Sequence, residues 1–196
     1  MLPDETQGLL PAQYFSELDQ LLEGLDARPK ALVSPRGLAN RGELGDFSSI
    51  ITFKALISGI EDLLGPQGSG VVLIRAGQLR GRALVEDWGV GHLDLPVEKL
   101  GHLLDAALGH DGTRLCVVRD VTRAAAPSTD REAIVVNVAE TICSCAEPSG
   151  STRRCTFTLG AVWGALEALT GVTYEAAQTR SVLDGGEYDQ FTFTPR

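Results

Sequence analysis

Four cysteines are the residues of this 196-residue chain whose type and spacing offer most chemistry: Cys116, Cys143, Cys145 and Cys155, the last three within thirteen positions. Disulfides need an oxidising compartment, and the acidic opening Met1-Leu2-Pro3-Asp4-Glu5 lacks the basic character of a secretion signal. A zinc site normally shows Cys or His pairs a few residues apart. Cys143-Ser144-Cys145 is tighter than that gap, and His92, His102 and His110 lie far upstream. The cysteines therefore read as buried structural thiols, with Cys143, Cys145 and Cys155 as the alternative metal set.

Catalytic patterns do not appear. The chain has no Gly-x-Ser-x-Gly elbow, His-Glu-x-x-His helix or Walker lysine, and no nicotinamide or flavin motif, so neither an enzyme nor a cofactor is expected. His102 and His110 are eight residues apart, two helical turns, which is too far to share one metal ion. Ala76-Gly77-Gln78-Leu79-Arg80-Gly81 lacks the third glycine of a dinucleotide fingerprint, so Gly77 and Gly81 read as close helix-packing positions.

Charge removes further classes. With 26 Asp and Glu against 17 Lys and Arg the net charge is −9, which gives no general attraction to nucleic acid or anionic lipid. No apolar run approaches the roughly 20 residues that span a bilayer, and a cytoplasmic protein is expected.

Periodicity sets the elements that must position these side chains. Tyr14, Leu18, Leu21, Leu22 and Leu25 predict an amphipathic helix over Pro11–Asp26, followed by a Pro-, Gly- and Arg-rich connector to Gly45. Residues 1–45 thus form an acidic arm, and 46–196 the main domain. A second helix is expected from an Asp46 cap through Ile50, Phe53, Ile57, Ile60 and Leu64, ended by Gly65-Pro66. Val71–Ile74 then reads as a short strand. A helix from Pro96 to Leu108, strands Leu115–Val121 and Ala133–Val138, a helix Cys155–Thr170 stopped by Gly171, and strands Val172–Val182 and Tyr188–Phe193 complete the chain. Asp184-Gly185-Gly186 signals a hairpin between the last two. This order predicts an α+β domain with a mainly antiparallel sheet packed against helices.

In the last third, Glu140-Thr141-Ile142-Cys143-Ser144-Cys145, Cys155 to Gly164, Gln178-Thr179-Arg180-Ser181 and Gly185 to Phe191 recur in a fixed order. With Ala76-Gly77 and Gly81 upstream, the stretch from about Phe47 to Phe193 resembles the 4-vinyl-reductase domain family of hydrocarbon-binding proteins. That family shares its fold with the TRAPP vesicle-tethering subunits. Its pattern has a Cys and an aromatic before a helix with Gly-x-x-x-Gly, a strand with Glu-x-x-Cys, and a closing Gly-Asp-x-x-Cys-x-Phe. The resemblance implies a TRAPP-like fold. In relatives that sense aromatic compounds it implies a zinc ion at positions falling here on Cys155, Gln178, Ser181 and Asp189. Only Cys155 retains its type. Gln and Ser do not ionise near neutral pH, so a degenerate frame without metal is expected.

The expectation is therefore a non-enzymatic module that binds or senses a hydrophobic, aromatic or tetrapyrrole-like molecule and acts through a separate protein partner. Phe157, Gly160, Trp163 and Gly164 are the candidate ligand-binding residues, since glycines four apart clear one helix face for a flat molecule or another backbone. A homodimer is expected from the apolar stripe between Ile50 and Leu64. The alternatives are a TRAPP-like scaffold subunit without ligand and, from the family's name alone, an accessory to a vinyl reductase.

Overall fold

Ser49 caps the first described helix, its hydroxyl accepting from the Ile51 N–H at 3.2 Å. The computed structural model describes residues 49–89, 92, 95–110, 112–126 and 131–196; the expected acidic helix, its connector and the Asp46 cap lie outside them. Helix α1 runs over Ile50–Asp87 with one break, at Gly65, whose φ of 68° is left-handed. The expected end at Gly65-Pro66 is thus a kink, and the strand expected at Val71–Ile74 is helical. The physical reason is positional. Proline is excluded from a helix interior but fits a first turn, where its missing N–H has no partner to lose. Gly65 stops one helical segment, Pro66 starts the next, and the Ser69 hydroxyl donates to the Gly65 carbonyl at 2.7 Å across the joint.

Helix α2 (Val97–Leu108) buries Leu100, Leu103, Leu104 and Leu108, and helix α3 (Thr156–Thr170) ends on left-handed Gly171. Strands β1 (Val117–Ala125), β2 (Glu132–Ala139), β3 (Tyr174–Arg180) and β4 (Asp189–Pro195) form one antiparallel sheet in the order β1-β2-β4-β3. The molecule is α+β, an antiparallel sheet packed against helices. Its last two strands pair as expected, but a 3-10 turn over Val182–Asp184 and left-handed Gly185 join them. Ile134, Val136, Val138, Phe191 and Phe193 turn to the helices and are buried. The opposite sheet face is polar and partly solvated, as an antiparallel sheet covered on one side allows.

Four glycines fix the spacing of the layers. A Cβ at Gly77 would overlap the Phe157 carbonyl, at Gly81 that of Ala161, at Gly160 that of Ile74, and at Gly164 that of Gln78. Backbone meets backbone along this seam, so α3 lies buried between α1 and the sheet. The outer face of α1 is apolar instead of polar. All eight exposed large hydrophobics recorded among the described residues are on it, including Leu56, Leu63, Val72 and Leu79.

The seam gives a paired prediction. Gly164→Ala should cost roughly 3 kcal/mol or more, because a main-chain carbonyl cannot give way as a side chain can. Gly59→Ala, on the same helix as Gly77 but with nothing within 4 Å of the added methyl, should stabilise by up to about 1 kcal/mol. Urea denaturation of the two variants checks both signs.

Candidate functional site

Gly160 and Gly164 clear a surface for another backbone, not for a ligand, and Phe157 and Trp163 are engaged by neighbouring side chains. Gly160 and Gly164 are occupied by the α1 backbone, Phe157 packs edge-on against Phe53 of α1 at 4.9 Å, and the Trp163 indole N–H donates to Glu167 at 2.9 Å. None of the four lines either cavity described below.

Cys155, Gln178, Ser181 and Asp189 do come together, around a wholly buried carboxyl. Asp189 Oδ1 accepts from the Ser181 hydroxyl at 2.9 Å, the Val182 N–H at 3.2 Å and Gln178 Nε2 at 3.3 Å. Oδ2 accepts from Ser144 at 2.9 Å and Thr141 at 3.0 Å. Gln178 Oε1 in turn accepts from the Cys155 N–H at 2.9 Å, and the Cys155 thiol touches Thr141 Oγ1 at 3.3 Å. Sequence reasoning missed Thr141 and Ser144; a Thr-x-x-Ser turn just after a strand was the available signal.

This cage does not fit zinc. Both Asp189 oxygens already accept hydrogen bonds, Gln178 and Ser181 supply only neutral oxygens, and the Cys155 thiol is held protonated, its pKa raised by its contact with Cys143 and by burial. The set Cys143, Cys145 and Cys155 fails as well. No group of three Cys, His, Asp or Glu side chains among the described residues could hold a metal ion, and the Cys145 thiol donates to the Ile142 carbonyl at 3.4 Å. Cys143 is the acidic member of its pair. The Cys155 hydrogen bond, the Thr158 hydroxyl and the N–H groups of Thr158 and Phe157 at the start of α3 draw its pKa down to about 7 against the opposing effect of burial. The loop holding it is pinned to α1 by Lys54, which donates to the Cys143 carbonyl at 2.8 Å, and by Arg153, which bridges Glu61 and Glu147 at 2.8 and 2.6 Å.

Between α2 and β1 lies a cavity of about 210 Å³. Val97, Gly101, Val118 and Val121 give it apolar walls; Glu98, His102, Asp105, Arg119, Asp120 and Thr122 supply the polar groups. A bulge between Val118 and Asp120 shifts the register of β1 against β2 and re-aims the residues that follow. Asp105 Oδ1 accepts from the Val118 N–H at 3.0 Å and ties the helix to this strand. Asp120 Oδ2 accepts from Asn137 at 2.6 Å, whereas its buried Oδ1 receives no hydrogen bond from the protein. The ladder continues across the sheet: Gln190 donates to Asn137 Oδ1 at 3.0 Å, and Thr179 to Gln190 Oε1 at 3.0 Å. Burial lowers the pKa of His102, against the pull of Asp105, so the imidazole is neutral near pH 7. The acid inside the apolar run Val117-Val118-Arg119-Asp120-Val121 was the sequence signal for this site.

A larger cavity of about 550 Å³ opens near Leu100, Ile134 and Tyr174, but none of its recorded lining atoms is a buried polar group without a partner.

No family model and no curated protein matches the sequence. In three dimensions the chain is similar to the phenol-responsive sensory domain of the transcription activator PoxR, solved with phenol. The TM-score is 0.63 at 15% identity, over 95% of this chain and 92% of that one, and the two share a fold. It also matches a trafficking protein particle complex subunit 3 from Naegleria fowleri, covalently bound to palmitic acid, at TM-score 0.44 and 12% identity over 76% of this chain and 97% of that one.

The cage predicts an outcome with metal. Wild-type protein should contain no stoichiometric zinc by elemental analysis, and chelator should leave its melting temperature unchanged. The triple variant Gln178→Glu, Ser181→Cys, Asp189→Cys should lose stability without metal and regain it with zinc, through a Cys₃Glu set completed by Cys155. A triple variant that folds and ignores zinc contradicts the placement of these four positions.

Proposed function

We propose that this chain is a non-enzymatic sensing module of the 4-vinyl-reductase type, which takes one small molecule into the α2–β1 cavity and reports occupancy to a separate protein. The observation that carries this reading is the apolar-walled cavity of about 210 Å³ between α2 and β1, lined in part by Asp120, whose buried Oδ1 accepts no hydrogen bond from the protein. Ligand pockets are concave and mostly apolar with a few polar groups, and this lining has that composition. Volume agrees with the reading: a dry cavity of roughly 150 Å³ is enough for benzene, so about 210 Å³ suits one ring with one substituent. The shared fold with a domain that responds to phenol supports the class of function, not the ligand.

A scaffold role is the second reading, favoured by α1. Its Leu56, Leu63, Leu64, Val71, Val72 and Leu79 are 44 to 83% exposed, and large exposed apolar faces mark protein contacts. A second copy of the chain, meeting the same face about a twofold axis, would cover it.

Two outcomes test these readings. Native mass spectrometry of protein from its own host should show a bound organic mass. Gly101→Leu should abolish its uptake, because a side chain there meets only Val121 and fills the cavity. Absence of any bound mass, together with no thermal shift from single-ring compounds, removes the sensing reading. Sedimentation should give twice the 20.8 kDa chain mass, and Leu63→Lys with Leu79→Lys should halve it. A wild-type mass of one chain across micromolar concentrations removes the dimer.

A further inference from the structure

The exposed face of α1 changes character at its kink. After Gly65, residues 66–82 hold Arg75, Arg80 and Arg82 and no acid, whereas the exposed Asp62 stands among the apolar residues of the first segment. Val71, Val72, Arg75, Leu79 and Arg82 follow helical spacing on the side opposite the buried stripe Ser69, Leu73, Gly77 and Gly81. Val71, Val72 and Leu79 are 72, 44 and 55% exposed. Arg82 reaches Glu167 at 3.0 Å and stays half exposed. The second segment thus carries an apolar strip set with positive charge.

We propose that this strip is the docking site of the chain's own residues 11–26, which lie outside the described residues, seated in cis as a helix along α1. The sequence of that stretch has the complementary pattern. Tyr14, Leu18, Leu21, Leu22 and Leu25 fall on one helix face, and residues 1–27 hold six acids without one Lys or Arg. At 100° per residue Glu17 borders that face on one side and Asp19 and Asp26 on the other, so seating it apolar side down brings acids to the arginines.

Reach and entropy favour the same occupant. Residues 27–49 separate this stretch from the head of α1. Position 75 is at most about 38 Å from Ile50 along the helix, and the connector spans up to roughly 75 Å when extended. A lone helix of this length is marginal in water, so its folding is coupled to the surface that covers it, and the tether supplies an effective concentration on the order of millimolar. A second copy fits the strip less well, because a twofold contact between second segments pairs an arginine-bearing surface with itself. The first segment, with Ile51, Leu56 and Leu63 exposed, stays open to the second copy of the scaffold reading.

Hydrogen exchange of the full chain, read by mass spectrometry, tests this. Amides of residues 11–26 should exchange roughly tenfold or more slower than an unstructured chain. Leu79→Lys, at an exposed site, and Arg75→Glu should return them toward the unstructured rate while α3 and β2 keep their protection. In Arg75→Lys, carbodiimide should couple the new amine to Glu17, Asp19 or Asp26, and in a refolded mixture of isotopically heavy and light chains every such link should join residues of one chain. Unprotected residues 11–26 in the wild type would overturn the proposal. So would protection that Leu79→Lys leaves intact, which would seat the helix elsewhere. Links between heavy and light chains would give the strip to a second copy's arm, and slow exchange over residues 71–82 beside a free 11–26 would give it to a second copy's body or a foreign partner; either overturns docking in cis.

Discussion

Because Gly77 and Gly81 of α1 face Gly160 and Gly164 of α3, the two helices approach as closely as their main chains allow. That distance sets the depth of the domain. It leaves α3 with no solvent face of its own, which is why its sequence is apolar nearly all round: Leu159, Val162, Leu166 and Leu169 are buried together with Ala161 and Ala165. It also brings the first turn of α3, with Cys155 and Thr158, against the loop after β2, where Thr141, Cys143 and Ser144 are waiting. Widening the seam by one methyl would therefore strain the polar cage at the end of the helix as well as the core.

The cage shows how a buried acid is tolerated without a cation. Five donors from three separate segments converge on Asp189, so the desolvation of its carboxyl is offset by hydrogen bonds that are among the stronger kind available to a protein. Those segments are the loop after β2, the end of β3 and the turn before β4. Tying them together resembles what a structural ion does, with the difference that each contact is directional and depends on hydroxyl orientation. Such a joint tolerates little substitution.

How far the sequence revealed this depends on the kind of signal. Helices α2 and α3 were legible from leucine spacing and from Pro96 and Gly171, and β2 from its Val and Ile content. Val71-Val72-Leu73-Ile74 was not, because a short apolar run has no periodicity of its own and the buried stripe Ser69, Leu73, Gly77, Gly81 becomes visible only when glycines count as packing residues. Gly160 and Gly164 were recognised as a cleared surface, but whether a ligand or a backbone fills such a surface depends on the partner helix, which spacing cannot supply. Cys155, Gln178, Ser181 and Asp189 were placed together only through the resemblance to the 4-vinyl-reductase family. The cavity was marked only by the acid within Val117–Val121, since the β-bulge that shapes it leaves almost no trace in sequence.

The ladder from Asp120 to Thr179 has a direction. A carboxylate at one end can only accept, so Asn137 turns its Nδ2 to Asp120 and its Oδ1 to Gln190, and Gln190 then presents its Oε1 to Thr179. Each amide has one permitted orientation, inherited from its neighbour on the cavity side. The row crosses all four strands in the order β1, β2, β4, β3, ending at the strand farthest from the cavity. A change in what Asp120 accepts is thus posed, by donor and acceptor parity alone, as a question to a hydroxyl on the opposite edge of the sheet.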